Sequence, residues 1–318
     1  MTLTQLGAFV LVAQLGSVRA AADVLGVSEP AVSQALASLR NQFDDQLIIR
    51  DGNTMVLTPG GSRLLSIASA MVALGAEAQA AVRSARGAPA QIRMLVTSTI
   101  AEFIATPLLE AFVRRWSGAL DATSGVATAD EMRALLPSRM ADVALGPDLS
   151  GDVTAAGVKL VSEPLLRCGI IAVASPQFKA YGSASRWPWL VDASGTDPGS
   201  DTGALLARLR VPESHIRVFP NQTLAWAAAA DGFGVAPAVA TLVAPQLRRG
   251  ELCAVPTEAD PFTTVWHVTT LTPDRRSEGA RRLRSFLSTP DAMQLMCAPG
   301  RGVPPSRFRP PVYVTIWS

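Results

Sequence analysis

The sequence predicts an α/β chain in three parts: a small helical module closed by a hairpin, one long helix, and a larger domain of two lobes. Three observations predict it. Apolar residues repeat at helical spacing from Leu6 to Leu39, broken only at Gly16 and Gly26. A run rich in Ala, Leu, Met and Val, with few charges, follows Pro59. Beyond Pro89, short strand-like runs alternate with helical ones, the pattern of a parallel sheet covered by helices. The expected parts are 1–58, 59–88, and 89–290, with lobe I at about 91–163 and 265–290 and lobe II at about 164–264. Residues 291–318 form a C-terminal extension.

The first module is built from caps and periods. Leu6, Phe9, Val10 and Ala13 fall on one face of a helix that Gly16 ends. Ser17 caps the next, whose buried face is Val18, Ala21, Ala22 and Leu25. Gly26 stops it, Ser28 caps a third, and Pro30 sits in the first turn, where a missing N–H costs nothing. Val32, Leu36 and Leu39 line its inner side. Two short helices meeting across Gly26-Val27-Ser28 make a helix-turn-helix. The third helix turns Pro30, Ser33, Gln34 and Ala37 outward, with Glu29 leading; Ser and Gln can reach base edges in a major groove. Leu47 to Arg50, a turn at Asp51-Gly52-Asn53, and Met55 to Leu57 read as a hairpin, or wing, that places Arg50 for a phosphate. The alternative is a helical packing module that touches no nucleic acid.

Composition limits the other readings. Of 318 residues, 48% are hydrophobic and 17% charged, enough for a large core and against disorder. Residues 1–90 hold six arginines and six acids, which cancel; a DNA-binding module is usually basic, so motif rather than charge carries the reading. Three scattered cysteines and two histidines suggest neither a disulfide framework nor a metal centre, and no cofactor is expected. The start lacks a signal peptide pattern, and no run of about 20 apolar residues suits a membrane span. The cytoplasm is the expected compartment.

The run Leu6, Phe9, Val12-Ala13, Gly16-Ser17-Val18, Ala21-Ala22, Leu25, Ser28 to Ser33, Leu36, Leu39, Leu47, Arg50 and Leu57 to Gly61 resembles the N-terminal signature of LysR-type transcriptional regulators. The likeness extends more weakly to about residue 290. It implies a winged helix-turn-helix, a long linker helix and a two-lobed effector domain like a periplasmic solute-binding protein. It also implies dimers or tetramers on inverted-repeat operators in double-stranded DNA, and a small-molecule effector. Ser28, Glu29, Pro30, Ser33, Gln34, Ser38 and Arg50 are the candidate DNA contacts. Glu29, Gln34, Arg40 and Asp44 depart from the usual Gln, Arg, Glu and Gly. Glu29 could accept from a cytosine amino group, or serve as an N-terminal acid that stabilises the helix dipole.

Thr58 caps the long helix, and Leu64, Ile67, Ala68, Met71, Val72, Leu74, Ala78 and Val82 give it a broad apolar side. Such a helix needs a cover, either a second copy or its own effector domain. Gly87-Ala88-Pro89 breaks it. In the larger domain, Cys168 to Val173 reads as the strand that opens the second lobe, and Trp266 to Val268 as the return to the first. Ligands belong beyond the carboxyl ends of the strands. The hydroxyls of Ser98 and Thr99, with helix amides, suit a carboxylate or another anion, so the effector is expected to be an anionic metabolite. Ser98 could equally be a plain helix cap. The resemblance places further contacts near Thr128, at Gly146, in the 197–202 loop including Thr202, and at Asn221-Gln222. Asn221 could also close a turn. The arginines between 275 and 284 read as a solvated face. Val312 to Trp317 alternates like a strand. An enzyme with an accessory helical module lacks a visible nucleophile, metal cluster or phosphate loop; a solute-binding transport component would lack a use for the first module.

Overall fold

A computed structural model gives the chain's architecture over residues 1–51, 54–116, 120–151 and 157–298. Gly52 and Asn53 of the expected wing turn, and the strand expected at Val312 to Trp317, lie outside the described residues.

The first module is α1 (Leu3–Leu15), α2 (Val18–Leu25) and α3 (Glu29–Phe43), then the antiparallel hairpin β1 (Ile48–Asp51) and β2 (Thr54–Leu57). Its caps follow the sequence closely. Thr2 and Gln5 form a reciprocal capping box, Ser17 accepts from the Ala20 amide, and Gly26 ends α2 at φ 64°. Ser28 occupies the cap of α3 but makes no side-chain cap bond. Asp44 ends α3 in the left-handed region at φ 49°, which accounts for its standing where glycine is usual.

The long helix α4 runs from Pro59 to Ala85. Its first turn needs Gly61, because a Cβ there would sit 2.0 Å from the Leu47 carbonyl oxygen. Its inward face is Gly61, Leu65, Ala68, Ser69 and Ala73, and the helix packs on α1. Ile67, Leu74 and Val82 stay exposed. The apolar side read from sequence therefore splits into two: one part covered within the chain, one left open. Against expectation, α4 is long and apolar enough to cross a membrane by length and composition, with a mean hydropathy of 1.4 in its 18-residue window. Many of its residues are Ala, Gly and Ser, which offer little bulk.

The larger domain has β3 (Ala90–Val96), α5 (Ser98–Ile100), a π-turn at Ala101–Ala105, α6 (Thr106–Arg115), β4 (Leu120–Val126), α7 (Ala129–Leu135), β5 (Val143–Gly146) and β6 (Leu160–Ala174). It continues through β7 (Trp189–Asp192), α8 (Asp201–Arg208), β8 (Ile216–Phe219), α9 (Gln222–Ala230), β9 (Val235–Val239), α10 (Ala240–Arg248), β10 (Cys253–Val255), β11 (Phe262–Leu271), α11 (Glu278–Leu287) and α12 (Pro290–Cys297). The sheet is not wholly parallel. Strand order is β4-β3-β5-β11-β6-β9-β7-β8, with β10 on β6. β3 runs parallel to β4 and β5, and β7 parallel to β8 and β9. Between these halves, β6 and β11 pair antiparallel and carry the chain from lobe to lobe. Their length makes them crossovers, and the sequence pattern exposes only 168–173 and 266–268 of them as strand. The extension expected at 291–318 begins instead with α12, whose Ala292 and Met296 are buried in the main core.

The first module does not stand apart. Leu6, Phe9 and Leu11 share one apolar cluster with Met132, Leu135 and Leu136 of lobe I, and α1 packs directly on α7. Arg139 reinforces the joint, pairing with Glu77 of α4 at 2.6 Å and donating to the Arg275 carbonyl at 2.7 Å.

Candidate functional sites: a recognition helix and a cleft

The outer face of α3 is open. Glu29, Pro30, Ser33, Gln34, Ala37 and Asn41 lie on it, while Val32, Leu36 and Leu39 lock the inner stripe, and the helix packs on α1 and α2. A helix fixed by three buried side chains and free on the other side can enter a groove without rearrangement. Arg19, Arg50 and Arg63 are also exposed and form no ion pair among the described residues. The module is neutral in sum, yet it offers cations to phosphate.

Two sequence-named residues sit differently. Ser38 accepts through its hydroxyl from Gln5 Nε2 at 2.9 Å, which fastens α3 to α1. Ser28 is exposed and makes no cap bond. Arg40 turns inward and donates to the Gln46 and Ile48 carbonyls, both at 2.9 Å, tying α3 to the wing. Asp45, unremarked in the sequence, accepts from the Leu47 amide and the Thr58 hydroxyl, each at 2.7 Å. The Leu47 amide, then Thr58, holds its carboxyl below the usual range.

The second site is the cleft between the lobes. A cavity of about 20 Å³, room for a water molecule and little more, is lined by Thr99, Ile170, Asp201, Thr202, Gln222, Pro237, Ala238, Val239 and Trp266. Hydrogen bonds hold it shut. Ser98 Oγ of lobe I donates to Asp192 Oδ2 of lobe II at 2.7 Å. Glu102 of lobe I accepts from the Gln222 and Thr223 amides at the start of α9, each at 2.9 Å, and from the Thr223 hydroxyl.

Of the seven residues singled out from sequence, this cavity brings together Thr99, Thr202 and Gln222. The other four are placed elsewhere or already bonded. Ser98 is neither a plain cap nor free, because its hydroxyl donates to Asp192. Thr128 is closed in a capping box with Glu131. Gly146 ends β5 against the Thr97 methyl, where an added Cβ would approach to 3.0 Å. Asn221 caps α9 by accepting from the Leu224 amide at 2.9 Å. Reading from sequence reached Asp201 only as a member of the 197–202 loop and gave it no role of its own; its oxygens accept from Thr264 Oγ1 at 2.5 Å and Trp266 Nε1 at 3.1 Å. The same reading missed the apolar walls from β6, β9 and β11, since no strand-end rule points to the interior of a crossover. Cys168 lies close by, but burial first, then Asp201, pushes its thiol up to about 12, so it stays protonated and inert.

Comparison with known proteins finds matches for both parts of the chain in one family. Residues 3–62 match the bacterial regulatory helix-turn-helix protein model of the lysR family, and residues 85–289 match the LysR substrate binding domain. The HTH-type transcriptional regulator Rv0377 of Mycobacterium tuberculosis is 34% identical over the full length of both chains. CfxR of Cupriavidus necator is 27% identical, over 90% of this chain and 91% of its own. Among solved structures, a hydrogen peroxide-bound cysteine-to-serine mutant of OxyR from Corynebacterium glutamicum aligns with a TM-score of 0.53 at 19% identity, covering 95% of this chain and 96% of that one. A full-length variant of AphB aligns at 0.56 and 18%, covering 91% and 98%. ArgP of Mycobacterium tuberculosis aligns at 0.53 and 22%, covering 89% and 95%.

Proposed function

Because the chain belongs to the LysR family of transcriptional regulators, with a DNA-binding helix-turn-helix and an effector-binding domain, we propose that α3 reads an inverted-repeat operator through Ser33 and Gln34. Glu29 and Pro30 lead the helix into the major groove. Ser28 and Arg50 hold phosphates on either side, and phosphate contacts fix register without reading sequence. Ser38 supports the helix from behind. The observation that carries this reading is the outer face of α3: polar, exposed, and uncovered by any described part of the chain.

The same reading gives α4 a partner. Its exposed Ile67, Leu74 and Val82 would be covered by a second copy, which sets two copies of α3 side by side. Two recognition helices about 34 Å apart match half-sites one helical turn apart. An effector in the cleft would act by favouring one lobe arrangement over another, by no more than its differential affinity for the two. Such a protein works on chromosomal DNA and therefore in the cytoplasm. The family reading leaves no role for turnover in the cleft.

A mobility-shift assay with the gene's own upstream region tests the proposal. The account expects a complex whose affinity falls steeply with salt as phosphate contacts release counterions. Loss of the complex on random DNA at moderate salt, with retention on the upstream fragment, marks it as specific. Equal binding to both would overturn it.

A further inference from the structure

We propose that the cleft takes an effector bearing a cationic nitrogen, held by the Asp201 carboxylate, with Thr202 and Gln222 completing the polar wall. The proposal rests on the cleft being the effector site and names the chemical class it selects, in place of the anion suggested by Ser98 and Thr99.

The first support is charge. Among the nine residues lining the cavity, Asp201 alone is charged. Its two partners, Thr264 and Trp266, are neutral donors, and it forms no ion pair among the described residues. Burial pushes its carboxyl upward with nothing cationic to offset it. An anion entering this space would add a second negative charge at low dielectric; a cation would supply the missing counter-charge.

The second support is the balance of donors and acceptors. Each Asp201 oxygen takes one donor and keeps room for another. Gln222 spends its Nε2 on the Pro237 carbonyl at 2.9 Å, which leaves its Oε1 as an acceptor without a partner among the described residues. Thr202 is only 8% exposed, and its hydroxyl makes no hydrogen bond among the described residues. The polar wall is therefore rich in acceptors, and an ammonium brings three donors and no acceptor.

The third support is that the first amides of α9, beside Gln222, are already taken and offer nothing to an anion. Glu102 already accepts from the first amides of α9, and Asn221 from the next. Thr128 and Glu131 close the start of α7. Ile170, Val239 and Trp266 offer an apolar surface for a carbon skeleton. The cavity is too small for such a ligand as it stands, so entry must part Ser98 from Asp192 or Glu102 from α9.

Thermal unfolding of the full-length chain tests this with two probe sets: putrescine, agmatine and L-arginine against glutarate and benzoate. At a hundredfold excess over Kd, an amine should raise Tm by about 5–10 °C. Asp201→Asn should weaken that amine by about ten- to a hundredfold, as expected for a lost charge-assisted bond. Thr202→Val, a milder change, should weaken it severalfold and guards against an Asp201→Asn chain that fails to fold. A shift from glutarate or benzoate without one from any amine overturns the cationic assignment while keeping the cleft as the effector site. Amine shifts unchanged in both variants also overturn it, as does the absence of any amine response. The effector reading has its own readout: whether a probe that raises Tm also changes the mobility of the DNA complex.

Discussion

Two neighbouring helices of similar length, α1 and α3, are used in opposite ways. In α1, the unbroken run from Leu6 to Val12 is buried, with no polar side among those residues. In α3, only Val32, Leu36 and Leu39 are buried, a single stripe. A helix apolar all round must be interior, and α1 is: α2, α3 and α4 cover one side, α7 of lobe I the other. The amphipathic α3 is held by one side and offers the other. The difference separates a helix that packs on every side from one that, on the proposed reading, meets DNA, and α1 joins the helix-turn-helix module to the effector-binding domain.

The largest effect should come from α1. Phe9 has no solvent exposure, and Phe9→Ala should cost about 3–5 kcal/mol of stability, as large aromatic truncations in cores do. Chemical denaturation would measure it. A loss under about 1 kcal/mol would mean that α1 is not sandwiched as described. On α3 the effect should move from stability to recognition. Ser33→Ala and Gln34→Ala should leave Tm nearly unchanged, yet each should cost about 1–3 kcal/mol of preference for the operator over other DNA. Competition binding reads this, and unchanged preference in both would remove α3 as the reading helix. Arg50→Ala should weaken operator and random DNA alike and lower the salt slope by about one.

A smaller effect tests the joint itself. Arg139 is mostly covered and Glu77 half-exposed, so Glu77→Ala should cost no more than about 1 kcal/mol after solvent screening. If α1 and Arg139 couple the two parts, that variant should alter the DNA response to an effector more than it alters Tm. The smallest effect is at the wing. Asp45 has a lowered pKa, so its bonds to Leu47 and Thr58 stabilise the wing above the ordinary carboxylate range and lose that contribution as pH falls through the lowered value. Wild type and Asp45→Asn should therefore converge in Tm below about pH 4.

Much of this was legible in order and type. Caps at Ser17 and Thr58, stops at Gly16 and Gly26, and the period of Val32, Leu36 and Leu39 act within a few residues, and local rules read them. The outward set on α3 followed from the same period. What stayed hidden depends on distant partners. The second buried face of α1 exists only because α7, over a hundred positions later in the chain, lies against it. The length of β6 comes from its pairing with β11. Thr128 and Asn221 have the composition of ligand contacts and of caps alike; only the folded chain shows them bonded to Glu131 and Leu224. The role of Asp201 within the 197–202 loop is silent in sequence because its partners, Thr264 and Trp266, come from a strand sixty-odd positions away.

Photocrosslinking from single sites tests the comparison most directly. A benzophenone side chain placed at Gln34 of α3 should form a covalent adduct with operator DNA, and one at Arg50 a weaker adduct on either strand. The same group on α1, at the exposed Leu3, should form none. An adduct from Leu3 but not from Gln34, in a complex that still shifts on a gel, would contradict the assignment of α3 to the groove.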